Sequence, residues 1–145
     1  MTDQKQNIEM LNEVVQNTEM GKNTLEELMT MTRDQALKAE MLRQQKRYRE
    51  LNQEAHTALA ALGQQAKGQS MMAKMNVSMG IRAKTMRDKS TRNIAEMLAE
   101  GSGQGVIDCL KAQEDYPQAS EGAKDLTRQL LGFQRQAEEK WRSFI

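Results

Sequence analysis

The sequence predicts an all-α fold, and three observations carry the prediction. Ala, Leu, Met, Glu, Lys, Gln and Arg dominate the 145 residues, whereas aromatic residues supply only 3%. That is the composition of a chain that loses little on entering helices and has few β-formers. Pro117 is the only proline, so no other helix interior is broken by a missing N–H. In four long segments, apolar residues recur at intervals of three and four, the period of one helix face.

The first helix is expected over about 3–30, with Ile8, Leu11, Val15, Thr18, Leu25 and Met29 on its inner stripe. The second, over about 34–62, has the cleanest period: Leu37, Met41, Gln44, Tyr48, Leu51, Ala55, Ala58 and Leu62. Asp34 can cap its start, and Gly63 can stop it because glycine tolerates positive φ. The connection over 30–33 is short enough to make these two helices antiparallel neighbours. The third helix, over about 90–115, is capped by Ser90 or Thr91 and carries Ile94, Met97, Leu98, Gly101, Gly105 and Cys109. Its run "AEGSGQGVI" holds three glycines, each costing about 1 kcal/mol against alanine inside a helix. Either the helix breaks there or a neighbouring backbone comes close to Gly101 and Gly105; close packing is favoured. The fourth helix, over about 119–144, presents Leu126, Leu130, Phe133, Ala137, Trp141 and Phe144.

Residues 64–89 separate the second and third helices. That is too long for a hairpin loop. It is long enough to return along a bundle of ~28-residue helices, roughly 42 Å. The result is a ferritin-like up-down four-helix bundle with one long crossover, in a single domain covering 1–145. The crossover is basic, Met-rich and partly helical. Met71, Met72, Met75, Met79 and Met86 sit at helical spacing in it, and Gly80 marks a joint.

Charge is uneven along the chain. Residues 64–92 hold seven basic groups and one acidic group, while the flanking segments are mildly negative and the whole chain is +1. No global field draws nucleic acid or membrane. The basic block contains no aromatic residue for stacking on bases. No apolar run approaches the ~18 residues of a membrane span. Cys109 is the only cysteine, which excludes an internal disulfide and suits a reducing compartment. The polar start "MTDQKQNIEM" does not resemble a signal peptide. A cytoplasmic location follows as the expectation.

The runs "NTEMGKNTLEEL", "MAKMNVSMGIRAKTMRDKSTRNIAEM" and "GSGQGVID" resemble a group of small bacterial proteins with a ferritin-like four-helix bundle and no assigned activity. The resemblance covers nearly the whole chain and implies the same fold. Relatives in that group often carry histidine where this sequence has Asn93, so the chain departs from the group at a potential ligand.

Candidate chemistry is sparse. A di-iron carboxylate bundle needs a Glu-x-x-His from each of two helices. The only histidine is His56, in "NQEAHTAL", with Gln at position 53, so that motif is absent. His56 reads as a flank residue. Glu19, Lys22, Gln44 and Asp108 all fall mid-helix on or near inner faces, and are expected to form a polar core layer. Its plain reading is a Lys22–carboxylate pair completed by Gln44, since buried charges need partners. Its metal reading makes Glu19 and Asp108 weak oxygen ligands for a hard cation. Met71, Met75 and Met79 read first as a packing stripe. With Arg82 and Lys84 they form a possible interaction surface, while thioether binding of copper is a remote third reading.

No catalytic residue set, cofactor or small-molecule substrate emerges. The chain is expected to be a non-catalytic binding or structural module that forms a homodimer or meets another protein. The alternative is a divergent metal-handling or redox bundle with oxygen ligands.

Overall fold

The structure is a computed structural model that describes residues 2–68 and 71–145, without the side chains of Met71, Met72, Ala73, Met75 and Met86. The described residues form five helices: α1 (Asp3–Met29), α2 (Gln35–Ala61), α3 (Met71–Arg87), α4 (Thr91–Asp115) and α5 (Glu121–Arg142). No strand occurs among them. The all-α expectation holds, with a fifth helix inside the crossover.

Local chemistry sets the boundaries. Thr2, Asp34, Ser90 and Ser120 lie in extended backbone before α1, α2, α4 and α5. Each side-chain oxygen accepts an N–H three residues on, at 3.1, 2.8, 3.2 and 3.1 Å. This satisfies an amide that has no intrahelical partner. Gly63 ends α2 at φ +70°. There the Gly63 N–H donates to Ala60 O and the Gln64 N–H to Leu59 O, both at 2.9 Å. That pair of bonds closes the last turn and needs the left-handed residue that glycine supplies. Pro117 falls in the α4–α5 turn, where its missing N–H does no harm.

Cross-helix hydrogen bonds fix the directions. Asn52 Nδ2 donates to Thr18 Oγ1 at 2.9 Å and Gln45 Nε2 to Glu26 at 3.2 Å, so α2 runs antiparallel to α1. Asn17 Nδ2 donates to the Gly105 carbonyl at 3.2 Å, while the Gln118 N–H reaches Gln6 Oε1 at 2.7 Å, so α4 also opposes α1. Ser120 Oγ donates to Asn7 Oδ1 at 2.7 Å and Gln134 Nε2 to Asn17 Oδ1 at 2.7 Å, so α5 runs with α1.

The connection after α2 begins beside the first half of α1, where the Lys67 N–H donates to Asn12 Oδ1 at 2.8 Å. It reaches the far half as α3, where Arg82 Nε meets Glu27 Oε1 at 3.1 Å. The crossover therefore returns along α1, as its length requires. Between the two hairpins, Met10, Leu25, Leu28, Met41, Leu51, Leu59, Ile94, Leu130 and Trp141 are shut off from solvent. This apolar burial is the main driving force for the assembly.

α4 continues unbroken through "GSGQG". The expected close approach is real at Gly105 but comes from a side chain, not a backbone: a Cβ there would meet the Gln134 amide nitrogen at 2.1 Å. At Gly101 the expectation of a close neighbour fails, because nothing lies within 4 Å of where a Cβ would stand.

Candidate ligand-binding cavity

A polar layer crosses the middle of the bundle, built from residues other than most of those expected. Gln134 is buried on α5. Its Nε2 donates to Asn17 Oδ1 at 2.7 Å and to the Tyr48 hydroxyl at 3.2 Å. Its Oε1 accepts from Asn17 Nδ2 at 3.4 Å and from the Cys109 thiol at 3.6 Å. Gln134 lies four residues after Leu130 and three before Ala137, so the stripe that selects Phe133 selects it equally. Asn17 lies seven after Met10, which is buried on a second face of α1 that the expected stripe does not include. The period marks Gln134, whose polarity hid it, while Asn17 lies off the expected stripe.

Two glycines make room for this layer. Gly105 faces Gln134, and Gly21 faces Tyr48, whose ring carbons would stand 2.4–2.8 Å from a Cβ. Tyr48 also packs edge-on against Phe133, with ring centroids 4.9 Å apart. Burial pushes the Tyr48 phenol up to about 12. Burial, with smaller repulsion from Asp108 and Glu13, pushes the Cys109 thiol up to about 12. Both groups are therefore neutral near pH 7, and Cys109 is a thiol donor rather than a thiolate nucleophile.

Beside this layer, between the bundle and α3, lies a cavity of about 420 Å³. Leu25, Leu28, Ile81 and Leu98 form much of its apolar wall. Gln44, Tyr48, Ser102 and Gln134 supply neutral polar groups inside, and Trp141 closes part of the wall. The Trp141 indole N–H is held by Ser102 Oγ at 3.2 Å. Charges sit at the exposed rim, where Lys84 and Glu100 pair at 3.4 Å. The roof is lightly anchored: among the described side chains of α3, only Ile81 and Thr85 are buried. Arg82 and Ser78 add bonds to Glu27 at 3.1 and 3.2 Å.

Gln44 is among the lining residues, but its side-chain oxygen is shut off from the cavity as well as from solvent. The residue is only 4% exposed. Its Nε2 donates to Glu40 Oε1 at 3.1 Å, and Glu40 is itself clamped by Arg43 at 2.6 and 2.9 Å. That bond orients the amide, and Gln44 Oε1 has no hydrogen-bond partner.

Of the four residues expected in the polar layer, Gln44 and Asp108 line this cavity, and Glu19 and Lys22 do not. The Glu19 carboxylate lies against Gly68, where a Cβ would meet its oxygen at 2.6 Å. Asp108 accepts from Gln104 at 3.0 Å. Among the described residues, no three His, Cys, Asp or Glu side chains converge in a way that could hold a metal ion. Asn93 works locally at the start of α4, donating to Asp88 O at 2.6 Å. In the expected interaction surface, Met79 is 65% exposed, and Arg82 and Lys84 are engaged with Glu27 and Glu100. The side chains of Met71 and Met75 lie outside the described part.

Glu13 lines a small cleft behind the polar layer with Asp108 and Cys109. Its carboxyl is held above the ordinary value of 4.5 by burial first, then by Asp108, Glu9 and Asp115. The folded state thus binds the Glu13 proton more tightly than the unfolded chain. Stability from this group is present at low pH and is lost as pH rises from 4.5 through the raised value. Glu13→Gln is expected to raise Tm at pH 7 and to leave it unchanged below the ordinary carboxylate range. Thermal melts at both pH values check this; an equal rise at both would show that charge is not the cause.

No helix among the described residues is long and apolar enough to cross a membrane. Comparison with family models, curated proteins and solved structures finds no match to this chain.

Proposed function

We propose that this chain is a non-catalytic binding module on a ferritin-like four-helix frame, with the cavity beneath α3 as its ligand site. The helix directions support the ferritin-like part. α2 and α4 run the same way, so their connection must travel the length of the bundle, as α3 does. The cavity itself carries the binding part. Its volume of about 420 Å³ falls within the small-molecule range of about 300–1,000 Å³. Its walls are mostly apolar with a few neutral polar groups. Tyr48 and Cys109 beside it are both held protonated, which suits retention of a ligand better than proton transfer.

Access through the roof is inexpensive. The α3 ion pairs are exposed, and such pairs contribute about 0–1 kcal/mol each. An element with few buried side chains opens locally at low cost. The reading keeps the sequence expectations of a cytoplasmic, metal-free bacterial protein whose Met79 face meets a second copy or another protein. A strictly monomeric mass at high concentration would remove the self-association.

Gly101→Leu tests the site. Gly101 lines the cavity with open space before it. A leucine is expected to fill that space while gaining about 1 kcal/mol of helix propensity over glycine. The variant should melt no lower than the parent. The parent's Trp141 emission should respond to 1-adamantanol, a compact apolar probe, and the variant's should not. A parent that shows no response counts against the cavity as a binding site.

A further inference from the structure

We infer that two copies of this chain pair about a two-fold axis through the α1–α4 face, each laying its basic α3 over the acidic half of that face on the other. The inference names the surface for the self-association proposed above, and it does not depend on the cavity holding a ligand. It begins from a step in the molecule. α3 covers the half of the α1–α4 groove that contains Met20, Thr24, Met97 and Gly101. The groove continues past Asn17 and Asp108, which line both the cavity and the small cleft beyond it. In that second half Glu13 and Ala112 form the walls, buried Thr127 and Leu130 of α5 form the floor, and no α3 residue takes part. One half of the face is therefore raised by a helix and the other is recessed.

Charge follows the step. On the raised half, Lys74, Arg82 and Arg87 are exposed, and Met79 is 65% exposed. Among the described residues Lys74 and Arg87 enter no ion pair. The recessed half gathers Glu9, Glu13, Asp108 and Asp115. Burial first, and then repulsion from the other three acids, holds the Glu13 carboxyl above its ordinary 4.5. None of the four enters an ion pair among the described residues. Lys111, the cation closest to them in sequence, is exposed and pairs with none of them.

A two-fold axis near Asn17, in the middle of α1, answers shape and charge together. It sets the raised basic half of each copy into the acidic recess of the other, in two identical contacts. A one-sided fit would leave a basic and an acidic half free to add further copies. A nucleic acid or anionic membrane would match the basic half alone and be repelled by the acids. The area suffices. α1 has 27 residues, so the face is about 40 Å long. Two packed helices make it about 20 Å wide, which gives about 800 Å², one partner's share of a standard interface. Met79 and the 37%-exposed Met20 add adaptable apolar contact.

Sedimentation equilibrium of the full chain over a concentration series tests the pairing. The parent is expected to reach twice its 16.5 kDa and no more, with a dimer that weakens as salt is raised. Two charge-reversed chains follow, one carrying Glu9→Lys and Asp115→Lys, the other Lys74→Glu and Arg87→Glu. None of the four positions is buried. Each variant alone should dimerise at least about tenfold more weakly than the parent. Mixed one to one, they should associate at least about tenfold more tightly than either does alone. A parent that stays monomeric at every concentration would overturn the pairing and leave the cavity to its own test with 1-adamantanol. Dimers unmoved by both reversals would put the contact on another face. Masses that climb past the dimer, or a mixture no tighter than its components, would overturn the two-fold arrangement. A parent dimer indifferent to salt would overturn the charge matching, whether or not the variants fold.

Discussion

Gln134→Leu is expected to lose about 2–4 kcal/mol of folding stability, although leucine has a similar volume and is more apolar. The glutamine is 1% exposed and bridges three helices. It donates to Asn17 and Tyr48 and accepts from Asn17 and Cys109. Leucine removes all of these bonds at once. Asn17 keeps its bond to the Gly105 carbonyl at 3.2 Å, but its amide oxygen and the Tyr48 hydroxyl lose the donor they shared. The forked leucine methyls must also fit against Gly105, where the Gln134 amide already occupies the space of an absent Cβ. Urea unfolding should show a lower midpoint with an unchanged slope. Adding Asn17→Leu should cost less than its own single-variant loss, because the two side chains belong to one network. Strict additivity would mean that the layer is not a unit.

Gly21→Ala is expected to destabilise by about 1–3 kcal/mol, the usual range for overpacking a filled core. Helix propensity alone predicts the opposite sign, a gain of about 1 kcal/mol. The deciding quantity is distance. Three Tyr48 ring carbons lie 2.4–2.8 Å from the position of the new methyl, well inside the ~3.5–4.0 Å of a favourable carbon contact. The ring cannot move aside freely. It is 4% exposed, packs edge-on against Phe133 and is tied through its hydroxyl to Gln134. Gly101→Ala provides the contrast, since no atom stands within 4 Å there and only the propensity gain remains. Thermal melts of the two alanine variants should therefore move in opposite directions. A stabilised Gly21→Ala would mean that Tyr48 can shift at little cost.

The long helices were legible because their signals are local. Stripes at three and four, Ser and Asp caps and the Gly63 stop each depend on a few adjacent residues, and the expected boundaries fall within about two residues of those observed. The methionine spacing likewise marked helical character in the crossover. The polar layer was less legible. Gln44 was rightly placed on an inner face, but its neighbours are set by how the two hairpins dock, and no local pattern records that. Glu19 turned to Gly68 in the crossover, and Asp108 settled at a rim with Gln104. Gln134 lies on the flank of the fourth-helix stripe and is passed over as a polar residue, whereas Asn17 lies off the stripe drawn for the first helix and only the docking of α4 and α5 brings it into the layer. The glycine run had a real packing cause at Gly105 only, and its partner is an amide side chain from α5, which the spacing could not name.

The bond between Asn17 and Gln134 joins residues 117 positions apart. Nearly everything else in α1 with α2, and in α4 with α5, is made between neighbours in the chain and carries a small loop-closure cost. Each hairpin is therefore expected to form early and quickly, while the amide clasp waits for the two halves to meet. It is the latch that registers the arrival of the last helix upon the first.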